Sequence, residues 1–151
     1  MGTQFDEIID LGLIVIDDYK LNKLYIQSQE DFIKYCDGFL IKAIPNFTVC
    51  KQNLDYVVDY SSTPQVREFV NTLSIYEKDI LADYWVLEWF TKETQVASSI
   101  STALQNSGSF KSYSEAQNLK AKESYLDGLR VKASQKCTDY LSMDIFSVLD
   151  Y

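Results

Sequence analysis

The sequence contains no histidine among its 151 residues. Histidine is the commonest general base and metal ligand, so its absence removes the usual Ser-His and Cys-His nucleophiles and most zinc sites. Only five glycines are present. None has the spacing of a phosphate-binding loop, where glycine lets the backbone approach the ligand closely. We therefore expect a protein that is not an enzyme and that holds no cofactor or metal.

Cysteine is also scarce. Cys36, Cys50 and Cys137 are widely separated, odd in number and show no C-x-x-C spacing, which favours reduced thiols packed in the interior. The beginning of the chain has no basic segment of the signal-peptide type, and the apolar run at residues 11–16 is too short to cross a bilayer. We expect a protein of a cytosol, or of a particle assembled there.

Positive charge is in short supply, with 14 Lys and Arg against 22 Asp and Glu and a net charge of −8. Affinity for nucleic acid depends mainly on cations that contact phosphates, so we do not expect specific DNA binding. The acidic clusters at residues 17–18, 30–31 and 77–79 could act as paired acid and base. Helix ends and solvated faces explain them better.

Aromatic residues are in excess at 14% of the chain. Such side chains supply large contact areas at low entropic cost, which favours a protein rich in contacts. A chain of this length can bury roughly two-thirds of its unfolded surface. No repeat, linker or low-complexity tract interrupts it, so we predict a single domain over residues 1–151.

The first third of the chain has the pattern of two helices. Thr3 and Asp6 resemble a capping arrangement. Apolar side chains then follow at helical spacing: Phe5, Ile8, Ile9, Leu13 and Ile16. A strand at residues 13–16 is the alternative, because this run contains β-branched residues. Ser28 predicts the start of a second helix, which Pro45 ends at about Ala43 or Ile44.

The middle of the chain changes to the pattern of a β-hairpin. Apolar and β-branched residues flank the turn-rich residues 61–64: Tyr56, Val57, Val58 and Tyr60 on one side, Val66, Phe69 and Val70 on the other. An isolated two-stranded ribbon is marginal in water. We therefore expect the hairpin at residues 54–72 to pack on helices or on a neighbouring subunit.

Two long helices are predicted in the second half. Ser74 and Glu77 form a capping box, and nothing up to Gln105 breaks the helix that follows. A turn at residues 106–109 precedes a last helix that Ser114 and Gln117 open, and short loops join antiparallel neighbours. The predicted fold class is mainly α, a helical bundle with a long helix hairpin and a small β-hairpin.

Several apolar side chains on these helices are candidates for contacts with neighbouring subunits or partners. The aromatic run from Tyr84 could line a ligand pocket, but its helical spacing favours a core or an interface. The predicted contact residues are Tyr84, Trp85, Trp89, Phe90, Leu119, Leu126, Leu129, Tyr140, Ile145, Phe146, Leu149 and Tyr151. The last helix also carries five cations interleaved with acids, typical of a solvated face with i,i+4 pairs.

Three segments and the order of the elements resemble the head–tail adaptor (connector) proteins of tailed bacteriophages. The segments are DF at 31–32 with FLIKAIPNF at 39–47, EKDILA at 77–82, and SEAQNLK at 114–120. The resemblance is one of pattern and spans most of the chain. It implies a structural virion protein that binds beneath the portal protein as a homo-oligomeric ring of about twelve copies and extends the DNA channel during genome ejection.

The same resemblance implies where the protein acts and what it contacts. The ring would lie in the virion neck after assembly in the host cytoplasm, between the portal and the tail or a downstream neck protein. The long helix hairpin would pack side to side around the ring, and residues 143–151 would be a C-terminal docking tail. DNA would pass nearby without specific binding, since an acidic wall repels it, and no membrane would be contacted.

The β-hairpin at residues 54–72 departs from this pattern, because some adaptors lack it. The alternative function is a monomeric protein-binding or regulatory helical module without catalysis.

Overall fold

The computed structural model describes the backbone of residues 2–16, 19–106 and 111–149, and the side chains of residues 2–16, 20–96 and 119–143. The elements in chain order are α1 (Phe5–Val15), α2 (Tyr19–Gln27), α3 (Gln29–Ala43), a 3-10 turn (Ile44–Asn46), β1 (Tyr56–Asp59), β2 (Val66–Phe69), α4 (Ile75–Asn106) and α5 (Lys111–Leu149). The predicted fold class, a mainly helical bundle with a small β-hairpin, is confirmed.

Helix α1 covers residues 13–15 and ends before Ile16, whose backbone is extended, so the alternative of a strand at residues 13–16 is wrong. The N-cap of the helix is Gln4, one residue later than the predicted cap, Thr3. The Gln4 N–H donates to the Glu7 carboxylate at 2.8 Å, whereas the Thr3 hydroxyl accepts from the Leu73 N–H at 2.8 Å. The buried side of α1 runs from Phe5 to Gly12 at helical spacing, and this burial decides helix over strand.

Helix α2 was missing from the sequence prediction. Leu21 is its buried apolar residue, so the segment shows no wide apolar stripe. It continues almost directly into α3, because the Ser28 N–H still donates to the Leu24 carbonyl at 2.9 Å. Tyr25 packs edge-on against Phe32 with ring centroids 5.3 Å apart.

Helix α3 begins and ends as predicted. The Ser28 hydroxyl accepts from the Asp31 N–H at 3.3 Å, which satisfies one of the free amides of the first turn. The helix stops at Ala43, and Pro45 lies in the 3-10 turn that follows.

The β-hairpin packs on α1. Its antiparallel register pairs Tyr56 with Phe69 and Asp59 with Val66. The Phe5 ring contacts Phe69 and Tyr56 at centroid distances of 5.2 and 5.8 Å, and the Phe69 N–H donates to the Thr3 carbonyl at 2.8 Å. The expected support from a helix is therefore present within the chain itself.

The two long helices form the predicted antiparallel hairpin. The predicted capping box of Ser74 and Glu77 opens α4. The Ser74 N–H donates to the Glu77 carboxylate at 2.7 Å, and the Glu77 N–H donates to the Ser74 hydroxyl at 3.2 Å. Helix α5 starts at Lys111, so its predicted start at Ser114 is wrong by three residues. Asn106 ends α4, and the predicted turn that follows it lies outside the described residues. The α5 backbone remains helical to Leu149, through most of the predicted docking tail at 143–151.

Candidate partner-binding surfaces

Helix α4 lies between α1 and α5, and each of these helices covers a different side of it. Towards α5, the Tyr84 hydroxyl contacts the Cys137 thiol at 3.2 Å. The Phe90 ring packs on Tyr125 with centroids 5.0 Å apart, and Leu87 shares an apolar cluster with the middle of α5. Residue 84 contacts residue 137 and residue 90 contacts residue 125, so the two helices run antiparallel.

The opposite side of α4 faces α1. Gly12 lies so close to Trp85 that an added Cβ would fall 2.4 Å from the indole ring, and Lys78 pairs with Glu7 at 3.1 Å. Residues 78 and 85 are seven apart and share one side of α4, about half a turn from the side that meets α5. The outward sides of α1 and α5 therefore face in opposite directions.

The outer face of α1 is apolar and acidic. Ile14 is 81% exposed and Val15 57% exposed, with Leu11 beside them. Asp10 lies on the same face, since it is four residues before Ile14. Partial burial, reinforced by the nearby Asp6 carboxylate, raises the pKa of Asp10 above its ordinary value. The shift means that a negative charge on Asp10, next to exposed aliphatic side chains, is less stable than on a fully solvated carboxylate.

The outer face of α5 is apolar and basic. Val131 is 69% exposed and Tyr125 51% exposed. Gly128 lies between them with open space where a Cβ would project. A shallow, open groove lies along this side, and all of its lining residues belong to α5: Ala121, Ser124, Tyr125, Gly128, Leu129 and Lys132. Lys132 thus places a cation beside exposed apolar groups.

A smaller apolar groove lies at the end of the bundle where α4 begins. Tyr76 and Met143 are about half exposed there, and Ile80 and Tyr140 form part of the wall. Tyr140 pairs with Glu77, so the α5 backbone after Met143 continues past the first turn of α4. The groove and this helical extension lie at the same end of the molecule.

The predicted contact residues divide into three groups. Four are buried in the chain's own core and are core residues, not exposed contact residues: Trp85, Trp89, Leu126 and Tyr140. Four are partly buried between α4 and α5 or beside them: Tyr84, Phe90, Leu119 and Leu129. The side chains of the other four lie outside the described residues: Ile145, Phe146, Leu149 and Tyr151. The large aromatic rings close the interior because α4 is covered on two sides.

The sequence interpretation missed a buried ion pair between Asp37 of α3 and Arg67 of β2. The Arg67 Nε donates to Asp37 at 2.7 Å, the Tyr60 hydroxyl donates to the same carboxylate at 2.8 Å, and Asp6 pairs with Arg67 at 2.9 Å. Burial opposes the charge on Arg67, but its carboxylate partners outweigh that effect and raise its pKa. Strand alternation was the available signal, since it puts Arg67 on the same side as Phe69.

A second polar cluster surrounds Glu77. Its carboxylate accepts hydrogen bonds from the Tyr140 hydroxyl at 2.8 Å and the Gln52 amide at 2.8 Å, in addition to the Ser74 N–H. Burial alone would raise the pKa of Glu77, but these hydrogen bonds outweigh it and lower the pKa. Glu77 therefore connects the start of α4 to α5 and to the preceding loop. Its position in the first turn of α4 agrees with the interpretation of this acid as a residue of a helix end.

Neither thiol with a shifted pKa is activated for chemistry. Burial raises the pKa of Cys36 to about 12 and that of Cys50 to about 11, so both stay neutral near pH 7. Cys36 is buried in the core as predicted. Within the described residues no group of three or more Cys, Asp or Glu side chains is placed to hold a metal ion. No helix of that part of the chain is long and apolar enough to cross a membrane.

Fold and surface together define a class, a helical bundle whose central helix is covered on both sides and whose outer helices expose apolar residues. No known protein family, curated protein or solved structure matches the sequence.

Proposed function

We propose that this protein is a non-enzymatic, self-assembling ring subunit of the head–tail adaptor type, located in the neck of a tailed bacteriophage virion. The observation that carries the proposal is the pair of exposed apolar faces on opposite sides of α4, with Ile14 on one and Val131 on the other. Contiguous exposed apolar surface marks sites of protein contact. Two different faces on opposite sides support closed rings, because each copy can bind one neighbour on either side.

The end of the bundle that carries the Tyr76 and Met143 groove is the proposed docking end for the portal. Helix α5 continues there as far as Leu149, with residues 144–149 past the paired part of α4. A segment of six helical residues extends about 9 Å at 1.5 Å per residue. The neighbouring neck or tail protein would then meet the other end of the ring.

The net charge of −8 suits a subunit past which DNA moves without binding, because neutralisation of phosphates by cations is what gives DNA affinity. A ring of such subunits would repel the duplex from its wall.

Electron microscopy of the purified chain mixed with the portal protein from the same genome tests the proposal. The expected result is ring-shaped density added to one end of the portal, and a sedimenting species far larger than the 17.4 kDa monomer. A chain that stays at 17.4 kDa with portal present and adds no density would contradict it.

The alternative, a monomeric protein-binding module, is favoured by one observation. The largest aromatic side chains are enclosed within a single chain, with Trp85 fully buried, so folding needs no second copy. The same micrographs distinguish the two functions, since the module would bind a partner as a single copy.

A further inference from the structure

The two outer faces differ in the sign of their charge. Residues 5–15, which form α1, contain three acids and no cation, for a net charge of −3. Residues 119–143 of α5 contain five cations and three acids, for a net charge of +2. In a chain whose total is −8, α5 and α2, which has two cations and no acid, are the helices with net positive charge. On α1, Asp6 already pairs with Arg67 and Glu7 with Lys78, so Asp10 is the acid of α1 that is left to complement α5.

Some of these charges are already neutralised within the chain and others are not. Lys136 pairs with Asp79 and Asp83 at 2.7 Å each, and Arg130 pairs with Asp127 at 3.0 Å. Among the residues whose side chains the structure describes, Asp10 and Lys132 form no ion pair. Both lie next to exposed apolar side chains, at positions where an intermolecular pair would be partly shielded from water.

The shapes of the two faces also differ. Ile14 and Leu11 form a ridge along α1 at i,i+3 spacing, with Ile14 the most exposed of the large apolar side chains of that helix. Gly128 leaves a gap in the surface of α5 between Tyr125 and Lys132. Helices pack when side-chain ridges of one enter grooves of the other, and this gap gives a ridge room to enter.

We propose that the outer face of α1 in one copy docks on the outer face of α5 in the next copy, with Ile14 in the groove at Gly128 and Asp10 paired with Lys132. This inference rests on the proposed ring assembly and identifies the two surfaces that meet. The faces are different and lie on opposite sides of α4, so the contact is head-to-tail. Repetition of a head-to-tail contact closes a ring, or yields a helical filament if the rotation does not close.

Charge reversal provides the test. Asp10→Lys alone places lysine opposite lysine in every contact, and Lys132→Asp alone places acid opposite acid. Close charge pairs at interfaces have coupling energies of about 1.5 kcal/mol or more, so each single variant should need at least about tenfold more protein to assemble. An equimolar mixture of the two variants pairs opposite charges at every contact and should assemble like the wild type.

The assay is sedimentation velocity and electron microscopy of each protein and of the mixture, with portal protein present. If both variants assemble like the wild type, or if the mixture is no better than either variant, the α1–α5 contact is refuted while the ring assembly stands. If the wild type itself forms no ring, the proposed function and this inference both fail.

A steric variant with a matched control supports the same assignment. Gly128 and Gly38 are both exposed helical glycines with open space at the Cβ position, so either accepts a large side chain without disturbing the monomer. Gly128→Trp should abolish assembly, whereas Gly38→Trp on α3 should leave it unchanged. At low protein concentration, where copies do not associate, both variants should retain the wild-type unfolding midpoint. Normal assembly of Gly128→Trp would overturn the proposed contact.

Discussion

The inner and outer sides of the bundle differ in where the largest aromatic rings lie. Around the inner half of α4, indole and phenyl rings are enclosed, and the Trp85 Nε1 donates to the Cys36 carbonyl at 2.9 Å. Among the side chains that the structure describes on the outward sides of α1 and α5, the most exposed apolar residues are aliphatic, Ile14 and Val131. Both tryptophans thus lie in the core, and the surface left for partners is mainly aliphatic and charged, with Tyr125 the aromatic ring exposed on α5.

This difference shows why an abundance of aromatic residues does not identify the surface. Aromatic residues dominate the energetics of both cores and interfaces, so their abundance cannot tell the two apart. Only the exposed fraction of each side chain in the folded chain distinguishes a core residue from a surface residue. The following four experiments test the comparison between the inner and the outer side.

The largest effect is expected from the centre of the core. Trp85→Ala removes a fully buried ring and the hydrogen bond from its indole N–H to the Cys36 carbonyl, so it should lower the free energy of unfolding by about 3–5 kcal/mol. Urea unfolding followed by circular dichroism measures this. A loss below about 1 kcal/mol would mean that the interior is not closed around α4.

The buried ion pair comes next. Arg67→Met leaves Asp37 buried without its cation, which should cost about 3 kcal/mol, at the low end of such losses because the Tyr60 hydroxyl still donates to the carboxylate. Arg130→Met is the control, since its pair with Asp127 is exposed and such pairs contribute about 0–1 kcal/mol. Equal losses in the two variants would show that the hairpin is not held by the Asp37 pair.

Glu77 should give a smaller effect that depends on pH. Its pKa in the folded protein lies below the ordinary value of 4.5, so the charged carboxylate stabilises the fold. That contribution is complete above pH 4.5 and is lost as the pH falls through the folded-state pKa. Glu77→Gln should cost about 2 kcal/mol at pH 7.

Denaturant titrations of both proteins from pH 7 to pH 3 check this expectation. The gap between wild type and Glu77→Gln should narrow as the pH falls. A gap that is constant with pH would exclude a charged Glu77 as the stabilising group.

The smallest effect on folding is expected on the outer faces. Ile14→Ser and Val131→Ser change exposed side chains that pack on little else, so each should shift the free energy of unfolding by no more than about 0.5 kcal/mol in dilute solution. Chemical unfolding at low protein concentration measures this. A loss of several kcal/mol would show that these residues belong to the core of the monomer.

Much of the fold could be predicted because local signals agreed with the packing. Three local signals act on the backbone where they were predicted to act. Ser28 starts α3, Pro45 follows its end, and the Ser74 capping box starts α4. Helix α2 lacked such a signal, since its place depends on contacts with α3 such as that of Tyr25 with Phe32.

The surface could not be predicted in the same way. Asp37 pairs with Arg67 across thirty residues, and the opposed faces of α1 and α5 exist only because α4 lies between them. Both features depend on which elements meet in space, and helical periodicity carries no information about that.

The thermal unfolding midpoint as a function of protein concentration tests the central claim most directly. Copies that bind one another through α1 and α5 stabilise the folded state by mass action. The wild-type midpoint should therefore rise with concentration, while that of an Ile14→Ser, Val131→Ser double variant should stay at its own value in dilute solution. A wild-type midpoint that does not change with concentration, or a double variant that shows the same rise, would contradict the assignment of the outer faces to self-assembly.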